Sequence, residues 1–294
     1  MRDKIFFSFS VEGKIRMKKQ RLWPNWKINA QKWNNHLKRT IFDIWLFEEL
    51  ESEKQKEANF IVMETVKQIP YGMSNFEDVI MQNRYYVDKT MYIPLLEDQA
   101  NYLIFIRPRR FGKSLLLSML RSYYDLSQKD KFQQLFGNLW IGQHTTPLQG
   151  KYQILYLDFS KIGGSIDELP QRFDSYSAVQ LDGFLNRYRE YYTDEFIERF
   201  SAADKGIDKL HILDDEARRL GYPLYLIIDE YDNFTNVVLN EKGNEIYRAI
   251  THASGFYRDA FKNYKGMFDR IFMIGVSPVT LDDLSSGYNI GWNI

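Results

Sequence analysis

Four short apolar runs, each nearly unbroken, stand out along the chain: Asn101 to Ile106 (NYLIFI), Tyr152 to Ser160 (YQILYLDFS), Leu224 to Asp232 (LYLIIDEYD) and Arg270 to Pro278 (RIFMIGVSP). A strand with one wet face alternates apolar and polar residues, whereas a strand buried on both faces does not. Helical or loop-rich stretches separate the runs, and that order predicts an α/β fold of three layers, α/β/α, around a mainly parallel sheet. The helices are legible too. Gly112 to Ser127 (GKSLLLSMLRSYYDLS) is apolar almost all round, as suits a helix buried against a sheet, and Asp208 to Pro223 ends with glycine and proline in stop positions. The polar-aromatic stretch from Ile166 to Ala203 reads as helical. Residues 63–100 read as a lead-in: a turn, a short helix, a short extended piece and a second helix opening near Lys89 and Thr90.

The first 62 residues differ from the rest. They hold four of the six tryptophans, Trp23, Trp26, Trp33 and Trp45, among scattered cations, and Met1 to Arg39 shows no clean period. A short amphipathic helix is expected over Thr40 to Ala58. The segment reads either as an extension, disordered or an over-long start with Met63 as the true first residue, or as a basic-aromatic arm for nucleic acid or a partner. The expected division is therefore 1–62 extension, 63–100 lead-in and 101–294 core. With 294 residues, 44% of them hydrophobic, and no formal net charge, the chain has material for one large domain and no global field to attract nucleic acid. The absence of cysteine excludes disulfides, a thiolate zinc site and a cysteine nucleophile. The apolar runs are far short of the roughly 20 residues of a membrane span, so a soluble, cytoplasmic protein is expected. His36, His144, His211 and His252 show no metal-ligand spacing.

Candidate chemistry gathers at the ends of the runs. After the first comes RPRRFGKS, which ends as the phosphate loop G-x-x-x-x-G-K-[ST] ends, with Arg107 where the first glycine would stand. Glycine there permits a backbone angle that costs other residues about 1 kcal/mol, and Pro108 also lacks an N–H. The N–H groups of Phe111, Gly112, Lys113 and Ser114 remain to hold phosphate, so Arg107, Pro108, Arg109, Arg110, Phe111, Gly112, Lys113, Ser114 and Leu115 form the candidate ATP-binding segment. Lys113 is the cation for the β- and γ-phosphates, the three arginines are extra phosphate partners, and the Ser114 hydroxyl is a Mg²⁺ ligand. The third run ends in the acid pair of a Walker B pattern. Asp229 would hold Mg²⁺ through its water shell, and Glu230 would orient and deprotonate an attacking water. The fourth run ends at Ser277, a γ-phosphate sensor if its strand lies beside the loop strand, with Thr280 as second choice; both also suit a helix cap. Asp158 fits a turn or cap better than a ligand contact. Arg258 and Arg270 show nothing beyond ordinary surface arginines.

Taken jointly, YVDKT (Tyr86 to Thr90), RPRRFGKS, IDEYD (Ile228 to Asp232) and GVSPVTLDDL (Gly275 to Leu284) resemble the bacterial AAA-ATPase-like family, over roughly Met63 to the C-terminus. The resemblance implies a P-loop NTPase fold with ATP and Mg²⁺ as cofactors, and it makes Arg107 a family trait. Family members commonly continue into a domain similar to PD-(D/E)XK nucleases, whereas this chain stops at Ile294. A C-terminally truncated ATPase core is therefore expected, and the nuclease role is not carried over. The expected function is that of an ATPase using ATP and Mg²⁺ to control an attached or partner domain. A binding switch with negligible hydrolysis and a P-loop kinase remain alternatives, the Asp229 and Glu230 pair favouring the ATPase.

Overall fold

The computed structural model describes residues 67–233 and 256–277 and the strand residues 6–9, 15–18, 27–28 and 292–293. The chain divides into two compact units, Met1–Lys67 and Gln68–Ile294. The first holds an antiparallel sheet of β1 (Phe6–Phe9), β2 (Ile15–Lys18) and β3 (Lys27–Ile28), with Phe6 opposite Lys18 and Ile15 opposite both Phe9 and Ile28. Strands of two to four residues are too short to print a period, which is why the sequence shows none here. The helix expected over Thr40 to Ala58 lies outside the described residues.

In the second unit the four apolar runs become β4 (Tyr102–Ile106), β5 (Gln153–Asp158), β6 (Leu224–Asp229) and β7 (Arg270–Gly275), all parallel. β8 (Trp292–Asn293), which no sequence pattern announces, adds to the far side of β4, giving the order β5-β6-β7-β4-β8. β7 thus stands between the loop strand β4 and the acid-tipped strand β6. The neighbour relation on which the reading of Ser277 depended is present.

Side chains alternate between two cores, and this is the three-layer arrangement. Leu155, Leu157, Leu226, Ile228, Ile271 and Met273 pack on one face against α3 (Leu169–Tyr188), α4 (Asp194–Ser201), α5 (Gly206–Leu220) and α6 (Phe256–Met267). Ile154, Tyr225, Ile227, Phe272 and Ile274 pack on the other against α1 (Phe76–Met81) and α2 (Lys113–Tyr124). Every residue of β6 is buried, so nothing along it selects for a polar face. The stretch read as helical from Ile166 to Ala203 resolves mainly into α3 and α4, and α5 ends at Gly221 as its sequence signals. A tight 3₁₀ turn, Thr90–Tyr92, precedes the short helix Ile93–Glu97 predicted near Lys89. Among the described residues no helix is long and apolar enough to cross a membrane.

Candidate functional site

A parallel sheet sends all its strand ends to one edge, so Ile106, Asp158, Asp229 and Gly275 come together there. The loop after β4 runs into α2 through Gly112, which caps the helix at φ 74° and ψ 24°. No heavy atom lies within 4 Å of where a Cβ at Gly112 would stand, so the glycine is demanded by its left-handed backbone and not by crowding. Arg110, at φ 68°, is left-handed as well. A non-glycine residue there stores strain of order 1–3 kcal/mol, a feature that clusters at ligand clamps.

This geometry corrects the expectation about the missing first glycine. Arg107 is not among the positive-φ residues; its N–H donates to the carbonyl of Gly275 at 3.2 Å and prolongs the pairing of β4 with β7. Position 107 is an extension of the strand, and a side chain costs nothing there. Its guanidinium turns back over the Phe105 ring, 4.3 Å from the centroid, and donates to the carbonyl of Ile106 at 2.7 Å. Arg109 and Arg110 are exposed, and so is Phe111.

Lys113 is buried, 7% exposed, with its Nζ donating to the carbonyl of Pro108 at 3.3 Å, so it curls into the loop that precedes it. No side chain caps the first turn of α2, in contrast to Asn75 on α1 and Thr193 on α4. Its opening N–H groups have no partner within the helix, and they carry the positive end of its dipole. The Leu115 side chain packs against the core, which leaves only its backbone for a ligand.

Ser114, on the second residue of α2, donates its hydroxyl to Oδ2 of Asp229 at 2.9 Å. Asp229 is 4% exposed, and its Oδ1 is buried with no hydrogen-bond partner. Burial raises its carboxyl above the ordinary range, and Asp158, in register beside it on β5, raises it further; the Ser114 hydroxyl opposes both. Asp158 itself caps a turn, accepting from the N–H and hydroxyl of Ser160, as expected of it. Glu230 follows in a left-handed conformation, φ 52°. Burial and the neighbouring Asp229 raise its carboxyl, while Lys113 and Arg109 pull it down.

At the tip of β7, Ser277 is held through its backbone: its N–H donates to Asp232 and its carbonyl accepts from the Tyr231 hydroxyl at 2.7 Å. Thr280 lies outside the described residues, as do His36 and His252. His144 stacks on Trp140, and Arg270 bonds the Glu97 carbonyl at the opposite edge of the sheet. Among the described residues no group of three His, Asp or Glu side chains is placed to hold a metal.

Sequence reasoning missed Tyr156, whose hydroxyl reaches Asp229 at 3.3 Å, and the bracing roles of Tyr231 and Asp232. One signal was available for Tyr156: a hydroxyl two residues before the tip of an otherwise aliphatic strand.

A family model described as Predicted AAA-ATPase, AAA-ATPase-like, matches residues 70–285, a span that holds the loop, both acids and β7. No curated protein matches the chain at a significant level.

Proposed function

Because the chain belongs to the AAA-ATPase-like family, described as predicted AAA-ATPases, we propose that it binds ATP with Mg²⁺ at the sheet edge and hydrolyses it. The observation that supports this reading most is the contact of Ser114 with Asp229 across the sheet edge, which leaves one buried carboxylate oxygen unpaired. An orphaned buried carboxylate oxygen costs free energy unless a cation or its water shell takes it up. Ser114 and Asp229 therefore fit a Mg²⁺ site.

In this reading the N–H groups of Phe111 to Ser114 and the start of α2 bind the phosphates, and Lys113 leaves its contact with the Pro108 carbonyl to place its charge on the β- and γ-phosphates. Arg109 and Arg110 project from the loop as further phosphate partners, and Arg107 serves there only after leaving the Phe105 ring. Mg²⁺, when bound, neutralises charge on the phosphate oxygens. Glu230 orients the attacking water and takes its proton. Its raised carboxyl suits a base better than an ordinary glutamate does, because proton affinity rises toward working pH. Ser277, held by its backbone at the tip of the intervening strand, is the γ-phosphate sensor of this reading. The nucleotide state then controls an attached or partner domain.

Calorimetry with Mg²⁺ present tests the reading. ATP binds the wild type, and Lys113→Ala lowers the affinity at least tenfold, about 1.4 kcal/mol. Wild type that binds ATP but releases no phosphate would point to a binding switch, and an affinity unchanged by the substitution would sink the loop as the nucleotide site.

A further inference from the structure

Two hydroxyls converge on the same oxygen of Asp229. Ser114 donates to Oδ2 at 2.9 Å and Tyr156 at 3.3 Å, while Oδ1 remains buried and unpaired. Tyr156 stands on β5 opposite Ile227, two residues before the tip, so its ring reaches along the sheet to the end of the neighbouring strand. Arg121 covers that ring, its guanidinium 4.4 Å from the centroid. Arg121 lies on α2 two turns beyond Ser114, and its buried Nε has no hydrogen-bond partner. The helix that follows the phosphate loop thus reaches Asp229 twice, directly through Ser114 and indirectly through Arg121 and Tyr156.

The two hydroxyls are not equivalent once a cation is present. Ser114 must offer its oxygen to Mg²⁺ while still donating its proton to Asp229. Tyr156 has no such second duty.

We propose that Tyr156 is a positioning residue of the cation site: its hydroxyl holds Oδ2 of Asp229 and so reserves Oδ1 for the hydration shell of Mg²⁺. The groups around a metal site that orient its ligands are often worth as much to affinity as a ligand contact. This inference rests on the Mg²⁺ and ATP reading above.

The test is Tyr156→Phe, which keeps the ring, its burial and the Arg121 contact and removes only the hydroxyl. ATP affinity is measured by calorimetry in EDTA and across a Mg²⁺ titration, with melting of the unliganded protein as a check on the fold. We expect melting within a few degrees of wild type, ATP affinity in EDTA within twofold, and a Mg²⁺ midpoint raised about three- to tenfold, the effect of one modest hydrogen bond. An unchanged midpoint, or a fall in ATP affinity as large in EDTA as in Mg²⁺, would overturn the inference while leaving the functional reading intact. A wild type whose ATP affinity does not respond to Mg²⁺ would overturn both.

Discussion

Asp232 turns its carboxylate onto the backbone N–H of Ser277, 2.6 Å away, and onto that of Val276 at 3.2 Å. The last acid of IDEYD is therefore occupied in tying the end of β6 to the end of β7, which in the proposed reading leaves Asp229 for the cation and Glu230 for the water. Replacing Asp232 by Ala strips two half-buried N–H groups of their acceptor, at a cost of about 1–2 kcal/mol. We expect Asp232→Ala to lower the melting temperature by several degrees, with ATP turnover per folded molecule falling much less than in a Glu230 variant. Turnover abolished in a variant that melts like wild type would mean that Asp232 takes part in the chemistry.

Gly275 makes that frame possible. A Cβ there would stand 2.5 Å from the Tyr231 ring and 2.6 Å from Asp232 Oδ1, and Tyr231 is fully buried with its hydroxyl on the Ser277 carbonyl. Gly275→Ala should therefore cost about 1–3 kcal/mol by overpacking, and should weaken turnover by displacing Glu230, which adjoins Tyr231. Gly112→Ala makes the useful contrast. Its Cβ meets open space, so only the left-handed backbone resists, at about 1 kcal/mol. Thermal melts of the two variants that rank in the opposite order would contradict this account.

Glu230→Gln separates binding from turnover. Glutamine keeps the shape and reach of glutamate but cannot accept the proton of the water, and Asp229 continues to serve the cation. We expect ATP affinity near that of wild type and phosphate release at least ~100-fold slower. Equal rates in the two proteins would remove Glu230 as the base.

Asp229 sets stability against function. Its carboxyl, raised by burial, favours the protonated form in the folded protein. The stability it contributes is complete below the ordinary carboxylate value of about 4 and is lost as pH rises through its folded value. At neutral pH the unliganded protein thus carries a buried, underpaired charge. Asp229→Asn should raise the melting temperature at neutral pH by about 2–4 °C, what roughly 1 kcal/mol gives, and should abolish the response of ATP affinity to Mg²⁺. The stability difference from wild type should shrink as pH falls toward 4, over the same window in which the wild type loses its Mg²⁺ response by protonation. A difference that grows on acidification has the wrong sign for this argument.

Much of this molecule is written locally. Burial on both faces requires continuous apolar residues, so four such runs are enough to announce four strands covered on both faces, and acids directly after a run must sit at a strand tip. The GKS triplet before an apolar helix marks the start of α2 and the candidate phosphate loop for the same reason, since helix start, lysine and serine are all within reach of one another in sequence. Three things depend on residues far apart in the chain, and no local pattern carries them. Strand order placed β7 between β4 and β6, which bonded the N–H of position 107, just past the end of β4, to Gly275 and removed the need for glycine there. Packing of β5 beside β6 turned Tyr156 from one core aromatic among many into a partner of Asp229. The meeting of β6 and β7 at their tips drew Asp232 onto the backbone of Ser277. A short segment determines what it can bury and where its charges emerge, but which charge is free to act is decided by the partners that the finished sheet brings to it.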